Sequence, residues 1–143
     1  MGGLTRRLQG RPLVAGAGCG PALVTEEPLS LWGGLDPVSG EVIDRRHPLS
    51  GQCLSGRVLV LPRGRGSCSA SGVLLEAIRN GTAPAAIITT AVDPIIALGA
   101  ILGDELYGQP VPVVLLNATD AATIRTGDDV SVEPDGTVAC VAD

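Results

Sequence analysis

The side chains best suited by type to do chemistry lie in one short run, Arg63-Gly64-Arg65-Gly66-Ser67-Cys68-Ser69-Ala70-Ser71, between the apolar stretch GRVLVLP and the pattern VLLEAI. Two guanidinium groups can hold a carboxylate or a phosphate through paired N–H donors. Gly64 and Gly66 let the backbone approach a ligand closely, and Ser67, Ser69 and Ser71 offer hydroxyls. Cys68 beside Arg65 is either an activated thiol or an ordinary half-buried cysteine. The run is no GxxxxGK[ST] loop, because the chain has no lysine, and no GxSxG elbow. A plainer reading stands beside the anion site: Ser69 or Ser71 caps a helix, the glycines shape a turn, and the arginines are solvated. Composition and spacing leave the two readings balanced.

Other chemistry-bearing residues are few. His47, in DRRHPLSG, is the sole histidine. Any Ser–His arrangement must use it, and the alternative is a hydrogen-bonded loop residue. Trp32-Gly33-Gly34 with Asp36 offers a substrate rim or an interface anchor, unless Trp32 plugs one end of the core. The four cysteines, Cys19, Cys53, Cys68 and Cys140, form no CxxC pair, and their spacing matches no zinc or iron–sulfur run. They read as reduced thiols, and no metal site is expected within this chain.

The elements that would position these residues follow from the apolar pattern. GRVLVLP is a buried strand, and Val73, Leu74, Ala77 and Ile78 form one face of a helix that Asn80-Gly81 stops. AAIITT is a second strand. DPIIALGAIL is a helix capped by Asp93, with Pro94 in its first turn and Gly103 after its end. VPVVLL is a third strand, Thr119 to Arg125 a short helix, and DDVSVEPDGTVACV a hairpin across Pro134-Asp135-Gly136. The Gly- and Pro-rich first half suggests short strands at Pro21 to Thr25, Leu29 to Trp32 and Glu41 to Asp44. Strand, helix, strand, helix, strand implies parallel crossovers, so the fold is a mixed β/α domain with antiparallel or barrel-like flanks. The polar run then falls at the carboxyl end of a strand and the amino end of a helix, where open α/β sheets bind ligands.

The 143 residues suffice for one core, and 45% of them are hydrophobic. Phe is absent and Trp and Tyr occur once each, so core volume must come from aliphatic residues. All ten cationic residues are arginine, and the formal net charge of -5 argues against a nucleic-acid partner. No apolar run has the length of a signal peptide or a membrane span, which leads to the expectation of a cytoplasmic protein without a membrane partner. One domain is expected over residues 1–143, with residues 1–10 loosely ordered.

Several ordered motifs together resemble a known family. PLSLWGGLDPVSGEVIDRRHPLSG, GRVLVLPRGRGSCSASGVLLEAI, GTAPAAII and IIALGAILGDELYGQPVPVV look like the small, swivelling-domain component of aconitase X, from about Gly16 to Val138. The resemblance implies a swivelling β/β/α domain docked on a large aconitase-X-like subunit or fused domain. That partner would hold an iron–sulfur cluster or iron, and this chain would bind no cofactor itself. By the same resemblance Ser67 is the proton-abstracting base of a hydro-lyase, and Arg65, Gly66, Cys68 and Ser69 border a small hydroxy-acid substrate. Trp32, Gly33, Gly34, Asp36 and His47 remain candidates for a substrate rim or an interface. The GSCSASGVLLEAI and ELYGQPVPVV forms resemble members that dehydrate cis-3-hydroxy-L-proline to Δ1-pyrroline-2-carboxylate. The alternative is the mevalonate 5-phosphate dehydratase small subunit, which forms trans-anhydromevalonate 5-phosphate. Readings of another class are a swivelling carrier with His47 as phosphate acceptor, and an anion-binding module without catalysis.

Overall fold

The structure is a computed structural model that describes residues 5–66 and 68–142. In chain order the elements are β1 (Thr5–Gln9), β2 (Arg11–Val14), β3 (Gly18–Val24), β4 (Val58–Leu61), α1 (Ser69–Asn80), β5 (Ala86–Thr89), α2 (Pro94–Tyr107), β6 (Val113–Leu115), α3 (Ala118–Ala121), β7 (Asp129–Val132) and β8 (Thr137–Val141). The strands hydrogen-bond in the order β1-β8-β7-β3-β4-β5-β6-β2. β3 to β6 run parallel, joined by the α1 and α2 crossovers, while β7, β8, β1 and β2 pair antiparallel.

The two ends of that order, β1 and β2, are consecutive in the chain and separated only by Gly10, so the sheet returns on itself. Gly10 is required by close approach. Its N–H donates to the Gly136 carbonyl at 2.9 Å, and a Cβ there would collide with Val114. Thr5–Gln9, within the segment expected to be loose, pair in register with Thr137–Val141, and residues 1–4 lie outside the described ones.

Strand alternation divides the interior into two cores. Val58 and Val60 of β4 face one core with Ala86, Ile88, Val114, Val130, Val132, Val138 and Cys140. Leu59 and Leu61 face the other with Leu23, Ile87 and Val113, covered by Leu74, Ala77 and Ile78 of α1 and Ile96 and Ala100 of α2. Both faces of β4 and β5 are buried, which is why these strands read as unbroken apolar runs. With no Phe in the chain, each fully buried Leu or Ile contributes about 1.5–3 kcal/mol of transfer free energy.

α1 presents the expected face and ends at Gly81, whose φ of 74° is left-handed. α2 corrects the sequence reading at its far end: it continues past Gly103 to Tyr107 and stops at Gly108, with φ of 60°. Gly103 is interior because Ile78 of α1 occupies the space its side chain would take, and Gly99 packs likewise on the Ser71 carbonyl and Leu74. The cost of a helical glycine, about 1 kcal/mol, is offset by this close helix contact. α3 is shorter than expected, a single turn in which the Asn117 side chain accepts from the Asp120 N–H at 2.8 Å.

The first half also departs from the expected short strands. Pro21 to Val24 lie within β3, but Leu29 to Trp32 and Glu41 to Asp44 contribute only the isolated bridges Leu29↔Gly64, Leu35↔Val42 and Glu41↔Cys53. The segment between β3 and β4 inserts single leucines and valines, Leu29, Leu31, Leu35, Val42, Leu49 and Leu54, into the helix-side core and closes its backbone bonds in turns. Leu29 and Leu31, not Trp32, fill the core here; Trp32 is 63% exposed.

Candidate active site

The chain leaves β4 through Pro62 into the Arg-Gly turn, and a cavity of about 180 Å³ opens beside it. Leu29, Leu31, Ala70 and Ile96 supply apolar wall, while Arg63, Gly64, Arg65 and Gly66 supply the turn that borders it. Three anchors hold that turn. The Arg65 N–H donates to the Leu29 carbonyl at 3.0 Å, and the Gly64 N–H donates to Asp93 Oδ2 at 2.6 Å. Gly66 turns the chain at φ of 107°, a conformation open to glycine, with Ser30 Oγ packed beneath it.

The electrostatics favour an anion. Arg63 and Arg65 are exposed, and among the described residues neither side chain has an ion pair or hydrogen-bond partner. The ion pairs among the described residues, Arg6–Asp128, Arg7–Glu133 and Arg79–Glu76, involve other side chains. Two unpaired guanidinium groups on one turn are conspicuous in a chain of net charge -5. Both helices begin at this cavity, α1 contributing Ala70 and α2 contributing Pro94, Ile95 and Ile96.

Of the residues singled out from sequence, Arg65 and Gly66 line the cavity. Ser67 lies outside the described residues. Cys68 occupies the N-cap position of α1 with helical backbone angles and makes no side-chain capping bond, and its thiol is exposed. Ser69 opens α1 and is exposed. Ser71 is buried, and its hydroxyl donates to the Ile95 carbonyl at 2.6 Å, so it joins the first turns of the two helices. Trp32 adjoins the wall residue Leu31, with its carbonyl accepting from Ser30 Oγ at 2.9 Å and its indole exposed.

Asp36 and His47 are not brought to the cavity. Asp36 closes a turn, accepting from the Val38 N–H at 2.9 Å and Ser39 Oγ at 3.0 Å; the Val38 bond first, then the Ser39 bond, hold its carboxyl below the usual range. Gly33 takes a left-handed turn, and Gly34 is buried against the Ser30 carbonyl. His47 is buried, with Nδ1 accepting from the Leu49 N–H and Nε2 facing the Pro28 carbonyl, each at 3.1 Å. With Nδ1 accepting, a proton on Nε2 can meet the Pro28 carbonyl, and the ring is a loop staple.

Sequence reasoning missed two parts of the site. The wall contributed by Leu29 and Leu31 comes from a segment with no regular element to signal it. Asp93 was legible as a helix cap, but its second oxygen reaches a partner 29 residues upstream, and no local signal carries that. Among the described residues no three His, Cys, Asp or Glu side chains gather to hold a metal. The thiols are dispersed: Cys19, Cys53 and Cys68 are exposed, and burial pushes the Cys140 thiol up. No ligand set for an iron centre forms among the described residues. Nor is any helix among the described residues long and apolar enough to cross a membrane.

The chain is 56% identical over 106 residues to the cis-3-hydroxy-L-proline dehydratase of Pseudomonas aeruginosa, covering 74% of this chain and 18% of that one. It is 51% identical over 120 residues to the phosphomevalonate dehydratase small subunit of Methanothermobacter thermautotrophicus, covering 83% of this chain and 92% of that one. The crystal structure of aconitase X from Thermococcus kodakaraensis superposes with a TM-score of 0.84 at 38% identity, over 94% of this chain and 98% of that one. The chain spans about a fifth of the length of the hydroxyproline dehydratases it matches, 18% and 22%. Residues 7–140 match the sequence model of the aconitase X swivel domain, and the chain belongs to that family.

Proposed function

We propose that this chain is the small, swivelling component of an aconitase-X-type hydro-lyase, acting on cis-3-hydroxy-L-proline. The observation that carries the reading is the pair of unpaired arginines, Arg63 and Arg65, on a glycine turn beside a small cavity. A carboxylate held by such a fork gains charge-assisted hydrogen bonds and a fixed orientation. The 56% identity to a named cis-3-hydroxy-L-proline dehydratase supports the choice of substrate.

In this reading Ser67 removes the proton from the carbon next to the one that loses hydroxide. A serine hydroxyl is a weak base, so its deprotonated form needs positive surroundings in a site that excludes water. Arg65 and the positive end of α1 supply that charge from within this chain. The large subunit would hold the iron centre and provide Lewis acidity toward the departing hydroxyl. Trp32, 63% exposed, and Val92, 58% exposed at the cavity, then form the apolar edge on which the large subunit seats.

A second reading rests on the 51% identity to a phosphomevalonate dehydratase small subunit. The same arginine fork would then hold a phosphate in place of a carboxylate. Assaying the complex reconstituted with its large subunit on both compounds decides between them. Dehydration of cis-3-hydroxy-L-proline is the expected result. Turnover of mevalonate 5-phosphate alone would transfer the assignment to the second reading, and turnover of neither would leave a non-catalytic anion-binding module. The carrier reading has little support, because both nitrogens of His47 are engaged in a buried loop.

A further inference from the structure

We propose that Asp93 is a positioning residue that sets the Arg-Gly turn, in addition to capping α2. Its carboxylate is 7% exposed and divides its two oxygens between two tasks. Oδ1 accepts from the N–H groups of Ile95 and Ile96, both at 3.0 Å, which completes the helix start. Oδ2 accepts from the N–H of Gly64 at 2.6 Å, a short charge-assisted bond to the peptide that lies between the two arginines. Fixing that peptide fixes the exit directions of Arg63 and Arg65 together.

The surrounding contacts leave the clamp little freedom. A Cβ on Gly64 would lie 2.9 Å from the same Oδ2 and 3.2 Å from Ile96 Cδ1, so only glycine admits the approach. Ser71 Oγ donates to the Ile95 carbonyl at 2.6 Å, tying the first turn of α1 to the segment that Asp93 caps. Beside the Arg65–Leu29 backbone bond, the turn, the α1 start and the α2 start are tied together by one carboxylate and one hydroxyl. The inference rests on the reading that the turn holds substrate, and it adds the device that sets its geometry.

Asp93→Asn separates the two tasks. Asparagine caps a helix about as well as aspartate, through one oxygen. Its other terminal atom is a nitrogen, which presents donors to the Gly64 N–H where an acceptor is needed. In the complex with the large subunit, Asp93→Asn is expected to lower kcat/KM at least about tenfold, as misplacement of the substrate-holding arginines does. In the full chain, the Gly64 amide should lose its hydrogen-exchange protection while the thermal midpoint falls less than in Asp93→Ala, because the α2 cap is kept. Gly64→Ala breaks the clamp from the other side, and the double variant should be no slower than the slower single one. A kcat/KM of Asp93→Asn within about twofold of the parent overturns the proposal. So does a loss of kcat/KM with the Gly64 amide still protected, or full additivity in the double variant. Near-normal activity of Ser67→Ala with the Gly64 clamp intact would instead count against the base assignment, which separates the two failures.

Discussion

The two long helices both begin at the cavity, and their first turns are finished in opposite ways. At α2 a buried carboxylate, Asp93, meets the first N–H groups and Pro94 occupies the first helical position. At α1 the N-cap residue is Cys68, which makes no side-chain capping bond, and two unpaired arginines precede it. Asp93 brings a negative charge to the positive end of α2, so that end has its counter-charge within the chain. At α1 the neighbouring charge is also positive, which costs folding free energy unless an anion arrives. In the proposed reading, one cavity joins a helix start that serves the fold to one that serves a ligand.

The most severe break of that contrast is Ser67→Ala. In the reconstituted complex it should cost at least about a hundredfold in kcat, the usual size of a lost general base, with the isolated chain as stable as before. Steady-state kinetics and thermal unfolding measured on the same preparation check both halves. Near-normal kcat would return α1 to the status of an ordinary helix start.

Asp93→Ala tests the other helix. It removes the cap of α2 and leaves three N–H groups short of their acceptor, so a loss of about 2 kcal/mol is expected in denaturant unfolding. Cys68→Ala, the matched change at α1, should leave the unfolding midpoint where it was. If both substitutions cost the same, the two helix starts are not specialised.

Arg65→Ala is expected to raise KM about tenfold, the loss of roughly 1.4 kcal/mol from one charge-assisted contact. Arg65→Lys should recover only part of it, because an ammonium cannot form the planar fork. An unchanged KM for both would leave the arginine solvated and the cavity without an anion site.

The smallest effect concerns pH. Burial raises the Cys140 thiol above its unfolded value, so its contribution to stability is complete below the ordinary thiol range, about 8.5, and is lost as pH rises through the folded pKa. Unfolding free energy should sag on the alkaline side in the parent and sag less in Cys140→Ala, with the site chemistry indifferent to the change. Equal slopes in the two proteins would contradict the assignment.

The parallel core was legible because β4, β5 and β6 carry their information locally, as apolar runs separated by helix patterns and turn residues. The stop at Gly81 and the cap at Asp93 were legible for the same reason. Gly103 misled because a glycine late in a helix pattern reads as an end, and only the presence of Ile78 on another helix shows why it lies inside. The arrangement of β1 and β2 was hidden, since their pairing partners, β8 and β6, lie far along the chain. At the cavity the arginines and glycines of the turn stood out by residue type. The Leu29 and Leu31 wall and the Asp93–Gly64 bond are products of tertiary contact, and Ser71 turned out to join two helices because its neighbour in space, Ile95, is remote in sequence.

The pairing of β1 with β8 sets Thr5 opposite Val141, so both ends of the described chain emerge side by side, about 5 Å apart in Cα position. Viewed as connectivity, the domain is nearly a circle. A few residues could join its ends, and the ring could be opened at an exposed turn such as Gly51 with every strand pairing retained. A longer polypeptide could likewise enter and leave the domain by a single doorway, carrying the turn and its cavity as one inserted unit.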